Sequence, residues 1–155
     1  MMPTLEGGLR IDAEGSGDWD LLRGIVDDAT GDGPDLASRL GGMVDDAEIA
    51  EDWQEFVVPD LRDEFQDVLA EIAALIESAA FDSAGGPGPI WITRENAYPW
   101  YSALNQARLS LEEVHHFGPE MKADPRKMGL EKQAAFIRSG FYADIQSLLL
   151  EHVMR

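Results

Sequence analysis

The sequence predicts an α+β fold, predominantly α-helical, with four to five packed helices and a small two-stranded β-sheet. Three observations predict it. Apolar residues recur every three or four positions in most of the chain, the period of a helix with one buried face. Two short runs, around Leu9 and around Trp91, have the β-type pattern instead. A cluster of Gly and Pro at 85–89 separates the longest helical stretch from the second β-run.

Residues 8–13 read Gly-Leu-Arg-Ile-Asp-Ala, and Leu9 and Ile11 alternate with Arg10 and Asp12 as in a half-buried strand. After a loop at 14–17, Asp18 is placed to cap a short helix, with Trp19, Leu22, Ile25, Val26 and Ala29 on one face. Residues 30–34, Thr-Gly-Asp-Gly-Pro, stop it, and 35–40 fit one further helical turn. The next helix is capped by Asp45 or Asp46 and turns Ile49, Trp53, Phe56 and Val57 inward, with Glu48, Glu51, Asp52 and Glu55 facing away. Pro59 disfavours a helical residue before it, which predicts a break or kink at Val58.

A new helix then carries Leu61, Phe65, Val68, Leu69, Ile72, Leu75, Ile76 and Ala79 at unbroken helical spacing. It is expected to be the centre of the core and to end near Ala80. Residues 90–93, Ile-Trp-Ile-Thr, form the natural partner of Leu9 and Ile11. Two strands alone are marginal, so helices must cover one face. Thr93 or Asn96 caps the following helix, with Pro99 in its first turn and Trp100, Leu104, Ala107, Leu111 and Val114 in its stripe. Gly118-Pro119 ends it, and a polar loop covers 120–129. The last helix spans about 130–153, with Ala134, Ile137, Phe141, Ile145, Leu148, Leu149 and Val153 inward. Gly140 in its interior is expected to allow a close helix crossing.

No linker separates two cores, so residues 1–155 are expected to be a single globular domain. Against 12 Lys and Arg there are 30 Asp and Glu, a formal charge of −18. Such a chain repels polyanions, which argues against nucleic acid and against an anionic membrane surface. Acidic, Lys-poor composition also suits solubility in high salt. No cysteine occurs, which excludes disulfides, thiol catalysis and thiolate metal sites. Neither a signal-peptide pattern nor an apolar run of membrane-spanning length is found, and a cytoplasmic location is expected.

Candidate chemistry is sparse. Glu112-Glu113-Val114-His115-His116 contains Glu-x-x-His twice, and one helical turn separates Glu112 from His115. Joined by His152, these residues would make a zinc or nickel site, with a polar helix end as the plainer explanation. Asp28, Thr30, Asp32 and Gly33 begin like a calcium loop, but Arg39 stands where a bidentate glutamate should close it. Neither a Gly-x-Ser-x-Gly elbow nor a phosphate-binding loop is present. Asn105, Arg108 and Glu112 recur on one helical face, and Gln146 of the last helix is placed to meet them. They are read as a polar network or small binding site, with Glu112 as the local partner of Arg108. The residues call for no cofactor. Tyr98 and Tyr101 sit near a helix start, where aromatic interface anchors are often found.

Residues 100–111, Trp-Tyr-Ser-Ala-Leu-Asn-Gln-Ala-Arg-Leu-Ser-Leu, match the pattern aromatic-x-x-Ala-Leu-Asn-x-x-Arg-Leu-x-Leu. A final helix follows with Phe141, Tyr142, Gln146, Leu148 and Leu149. Together these resemble the bacterial domain-of-unknown-function family numbered two thousand and seventeen, over roughly residues 90–153, with a weaker match in the helix that begins at Asp60. The genes of that family often neighbour the gene of ClpS, the adaptor that feeds substrates to the Clp protease. The resemblance therefore implies a protein linked to proteolysis through a partner, without carrying an activity of its own. The expected function is a cytoplasmic protein-interaction or regulatory module, not an enzyme, with a protein partner and with homo-oligomerisation left open. The alternative is a metal-dependent enzyme using the Glu/His cluster of the Trp100 helix.

Overall fold

The computed structural model describes residues 1–31, 47–117 and 129–154. In chain order the elements are β1 (Met2–Pro3), β2 (Leu9–Ala13), α1 (Ser16–Thr30), α2 (Ala47–Asp52), a π-helical turn (Trp53–Val57), α3 (Val58–Asp82), β3 (Gly88–Ile92), α4 (Ala97–His115) and α5 (Leu130–His152). The turn predicted at 35–40, the caps at Asp45 and Asp46, the stop at Gly118-Pro119 and most of the 120–129 loop lie outside the described residues.

The sheet is antiparallel, in the order β1-β2-β3. The expected pairing holds: Leu9 faces Ile92, Arg10 faces Trp91 and Ile11 faces Ile90. Alternation then buries Leu9, Ile11, Ala13, Ile90 and Ile92 and turns Arg10, Asp12 and Trp91 outward. The sheet has three strands, not two, because Met2 and Pro3 pair with Arg10 and Leu9. A two-residue strand has no alternation to read, so the sequence could not announce it. At the other edge, Pro89 lacks an N–H and the Thr93 N–H is taken by Asn96 Oδ1 at 2.7 Å, which blunts that edge against further pairing.

Helix α1 begins at Ser16, two residues before the expected cap. Asp18 instead accepts the Glu14 N–H at 2.8 Å. Trp19, Leu22, Ile25 and Ala29 are buried as the period requires. The Trp19 indole N–H donates to the Gly86 carbonyl at 2.8 Å and so ties the Gly/Pro loop to this helix.

Proline does not break the chain at Val58. The helix continues through the π turn, where the Val58 N–H bonds to the Trp53 carbonyl, and Pro59 then sits in the first turn of α3. A turn with i→i+5 bonding accommodates a residue that cannot donate. The result is a helical stretch over 47–82, 36 residues long and about 54 Å from end to end. Val68, Ile72, Ile76 and Ala80 bring its C-terminal half into the core cluster. The residues before Val68 contribute nothing to that cluster.

Helix α3 is not the centre of the core. That place belongs to α4, which packs on α1, α3 and α5. The reason lies in its small residues. Ala97, Ala103, Ala107 and Ser110 are buried beside Trp100, Leu104 and Leu111, so three neighbours can approach one helix. The predicted stripe of Trp100, Leu104, Ala107 and Leu111 is buried, whereas Val114 is exposed.

Helix α5 also departs from the expected register. Ala135, Ser139, Tyr142, Ile145, Gln146 and Leu149 are buried, while Ile137 is 60% exposed and Ala134 is exposed. A Cβ on Gly140 would meet nothing within 4 Å, so that glycine does not serve a close crossing. Gly24 of α1 instead makes room for a side chain: a Cβ there would stand 3.1 Å from Tyr142 Oη.

Truncating Leu104 or Ile72, both fully buried, to alanine is expected to cost about 2–5 kcal/mol in urea unfolding. Ile137→Ala and Phe81→Ala should change stability by less than about 0.5 kcal/mol. A large loss at Ile137 would restore the original register of α5.

Candidate functional site

Three regions of the molecule gather chemistry-bearing side chains. The first joins α4 to α5. Arg108 Nη1 donates to Gln146 Oε1 at 2.5 Å, and Gln146 Nε2 donates to the Tyr101 carbonyl at 3.4 Å. Gln146 is only 3% exposed, and the buried Nε of Arg108 has no hydrogen-bond partner. Asn105 is exposed. Glu112 is turned to its own helix end, where its Oε2 accepts the Phe117 N–H at 3.2 Å. Among the four residues of the expected network, Arg108 and Gln146 are joined by this hydrogen bond.

The helix end explains the histidines. His116 adopts a left-handed conformation as the C-terminal cap, and its N–H bonds to the Glu112 carbonyl at 2.8 Å. His115 stacks on Phe117, whose ring meets Phe136 edge-on. His152 lies 3.8 Å from its neighbour Glu151. Among the described residues no three His, Asp or Glu side chains converge as a metal ion requires, and Glu112, His115 and His152 do not form such a group.

The second region joins α1 to α5. Arg138 grips Asp28 with two hydrogen bonds, Nε to Oδ2 at 2.8 Å and Nη2 to Oδ1 at 3.1 Å, and Tyr142 Oη donates to Asp28 Oδ2 at 2.6 Å. Burial first, then the bond to the carboxylate, pushes the Tyr142 phenol well above its usual range. The same carboxylate raises Arg138. Asp28 is thus engaged by a guanidinium and a phenol, while Asp32, Gly33 and Arg39 of the suggested loop lie outside the described residues. This triad was missed by sequence reasoning. Its one trace is that Arg138 and Tyr142 sit one helical turn apart, on a face the apolar pattern assigned to solvent. A cleft of about 590 Å³ opens beside it, lined by Asp27, Asp28, Ser110, His115 and Arg138 among others.

The third region is apolar and exposed. Trp91 is 52% exposed on the outer face of the sheet, with the Arg10 guanidinium 5.7 Å from its ring. On the helical stretch that overhangs the core, Phe56 is 64% exposed, and Trp53 and Val57 are half-buried. Of the apolar stripe predicted to face inward there, Ile49 and Phe56 are exposed and Trp53 and Val57 half-buried, while the adjoining Val58 is buried. Among the described elements, α2 and the π turn pack closely only on each other and on α3. Tyr98 is exposed and Tyr101 half-buried. No helix among the described residues is long and apolar enough to cross a membrane.

Residues 7–153 match the family described as Domain of unknown function (DUF2017). The chain belongs to that family. The match extends the resemblance from the second half of the chain to nearly all of it, so β2, β3, α1 and the overhanging helix are parts of the DUF2017 unit, while β1 precedes the matched residues. No curated protein and no solved structure matches the chain.

Two outcomes follow from this geometry. Gln146→Leu is expected to cost about 2 kcal/mol, because it leaves the Arg108 guanidinium without its acceptor, whereas Arg108→Met should be the milder change. Chemical denaturation of the two variants checks the order, and the reverse order would show that Arg108 is held from elsewhere. Tyr142 has a sharper signature. Its folded pKa is raised, so its contribution is complete below the ordinary phenol pKa and is lost as pH rises above it. Stability should therefore fall above pH ~10 by roughly 1.4 kcal/mol per pH unit. Tyr142→Phe should remove that part of the slope in denaturation measured across alkaline pH, and an unchanged slope would place the titration on another group.

Proposed function

We propose that this DUF2017 chain is a protein-interaction module of regulatory type, working in the cytoplasm alongside Clp-type proteolysis, and not an enzyme. One observation carries the reading: the helix over 47–82 runs past the core and holds Phe56 out in solvent, beside half-buried Trp53 and Val57. Large apolar side chains grouped on a projecting helix are costly to leave in water and suit a partner's surface. The link to Clp rests on the gene neighbourhood that the family resemblance implies. Arg108 and Gln146, with Asn105 and Glu112 nearby, are assigned a structural part, holding α4 and α5 in register. Nothing among the described residues favours the metal-dependent alternative.

The test is binding of the purified full chain to ClpS and to the Clp protease, read by fluorescence anisotropy. Phe56→Ser, a surface change that should leave the circular dichroism spectrum intact, is expected to weaken binding about tenfold. Equal affinity of the variant, or no binding to either component, would overturn the reading.

A further inference from the structure

We propose that the overhanging helix docks a basic amphipathic helix of a partner protein, on the surface formed by Trp53, Phe56 and Val57 and edged by carboxylates. This rests on the interaction reading above and names the chemistry of the partner. Three observations identify the occupant.

The first is shape. Trp53, Phe56 and Val57 lie within about one turn of the helix, Phe56 exposed and the other two half-buried. In a regular α-helix, side chains at four-residue spacing drift round the axis by about 40° at each step. The π turn over Trp53–Val57 rotates less per residue and counters that drift, so the apolar ridge stays in line with the half-buried Leu61 and Phe65 beyond it. A straight ridge of large side chains packs into the groove of a second helix.

The second is charge. Between Glu48 and Asp67 the sequence carries eight carboxylates and a single cation, Arg62. A partner helix bearing Lys and Arg beside its apolar face gains from this field, and one bearing Asp or Glu is repelled.

The third excludes the other occupants. A second copy of this chain would set one acidic helix against another within a molecule of charge −18. An anionic lipid surface meets the same repulsion. Strand addition finds no unpaired edge on a helix.

Isothermal titration of the full chain with three synthetic peptides of about 18 residues tests this. They are an amphipathic Leu/Lys helix, its Leu/Glu counterpart and oligolysine. The Leu/Lys peptide should bind, the Leu/Glu peptide should not, and oligolysine should bind about tenfold more weakly, since it lacks the apolar face. Phe56→Ser should weaken the Leu/Lys complex about tenfold, while Phe81→Ser, at the far end of the same helix and 85% exposed, should leave it unchanged. Equal loss in both variants, or equal binding of oligolysine, means that charge alone attracts the peptide and overturns the proposal. So does sedimentation of the wild type as a dimer that Phe56→Ser dissociates, which would make a second copy the occupant. Binding of ClpS without binding of the Leu/Lys peptide sinks the partner chemistry alone. The opposite pair of results sinks the Clp link alone.

Discussion

The Asp28 carboxylate, held by Arg138 and Tyr142 across 110 residues of sequence or more, sets the arrangement of the last helix. A phenol fully withdrawn from water must find an acceptor. Gly24 gives it the room, because any larger residue there would crowd Tyr142 Oη. Once Tyr142 faces α1, the helical period places Ser139 and Gln146 on the buried side as well. Gln146 then arrives beneath Arg108 and bonds to it. Two polar contacts on opposite flanks of α4 are thus consequences of one register. Ile137 is turned to solvent by the same rotation.

That chain of dependence explains where the sequence was readable. Periodicity located every described helix, and it picked out Val68, Ile72 and Ile76 on α3 because no polar residue competes for that face. It also paired Leu9 with Ile92, since an alternating run with one buried side has a single good register. On α5 it failed. Apolar residues point to Ile137 and Phe141, whereas Tyr142 and Gln146 decide the matter through hydrogen bonds whose acceptor and donor lie on other helices. Hydropathy cannot see such partners. It also cannot rank helices that are all apolar on one side. The centrality of α4 comes from Ala103, Ala107 and Ser110, which contribute little apolar area and are valuable because they let neighbours come close.

Cations are scarce in this chain, and the structure commits several of them internally. Arg138 is spent on Asp28, Arg23 on Asp20 and Glu77, and Arg10 on Asp12. The Arg23 pairs are exposed and add little to stability. Their effect on the surface field is larger, because each removes a positive charge from the account of the remaining carboxylates. Acids are dense and cations few along the stretch from Glu48 to Asp67, which adds to the negative field there.

A contrast between two surfaces then bears on function. The cleft beside Asp28 is roomy and concave, as ligand sites are. Yet the Asp28 carboxylate that lines it already accepts a guanidinium on both oxygens and a phenol on one, so a ligand would have to break those bonds before making its own. The overhanging helix has the opposite character. Phe56 is largely exposed, so docking would cover apolar surface that now faces water. Binding energy comes from groups that are worse off before association than after it. By that criterion the helix is the better binding surface, although the cleft is the larger concavity. The apolar period in Trp53, Phe56 and Val57 reads as core in the sequence, and the docking we propose would give it a surface to meet on another molecule.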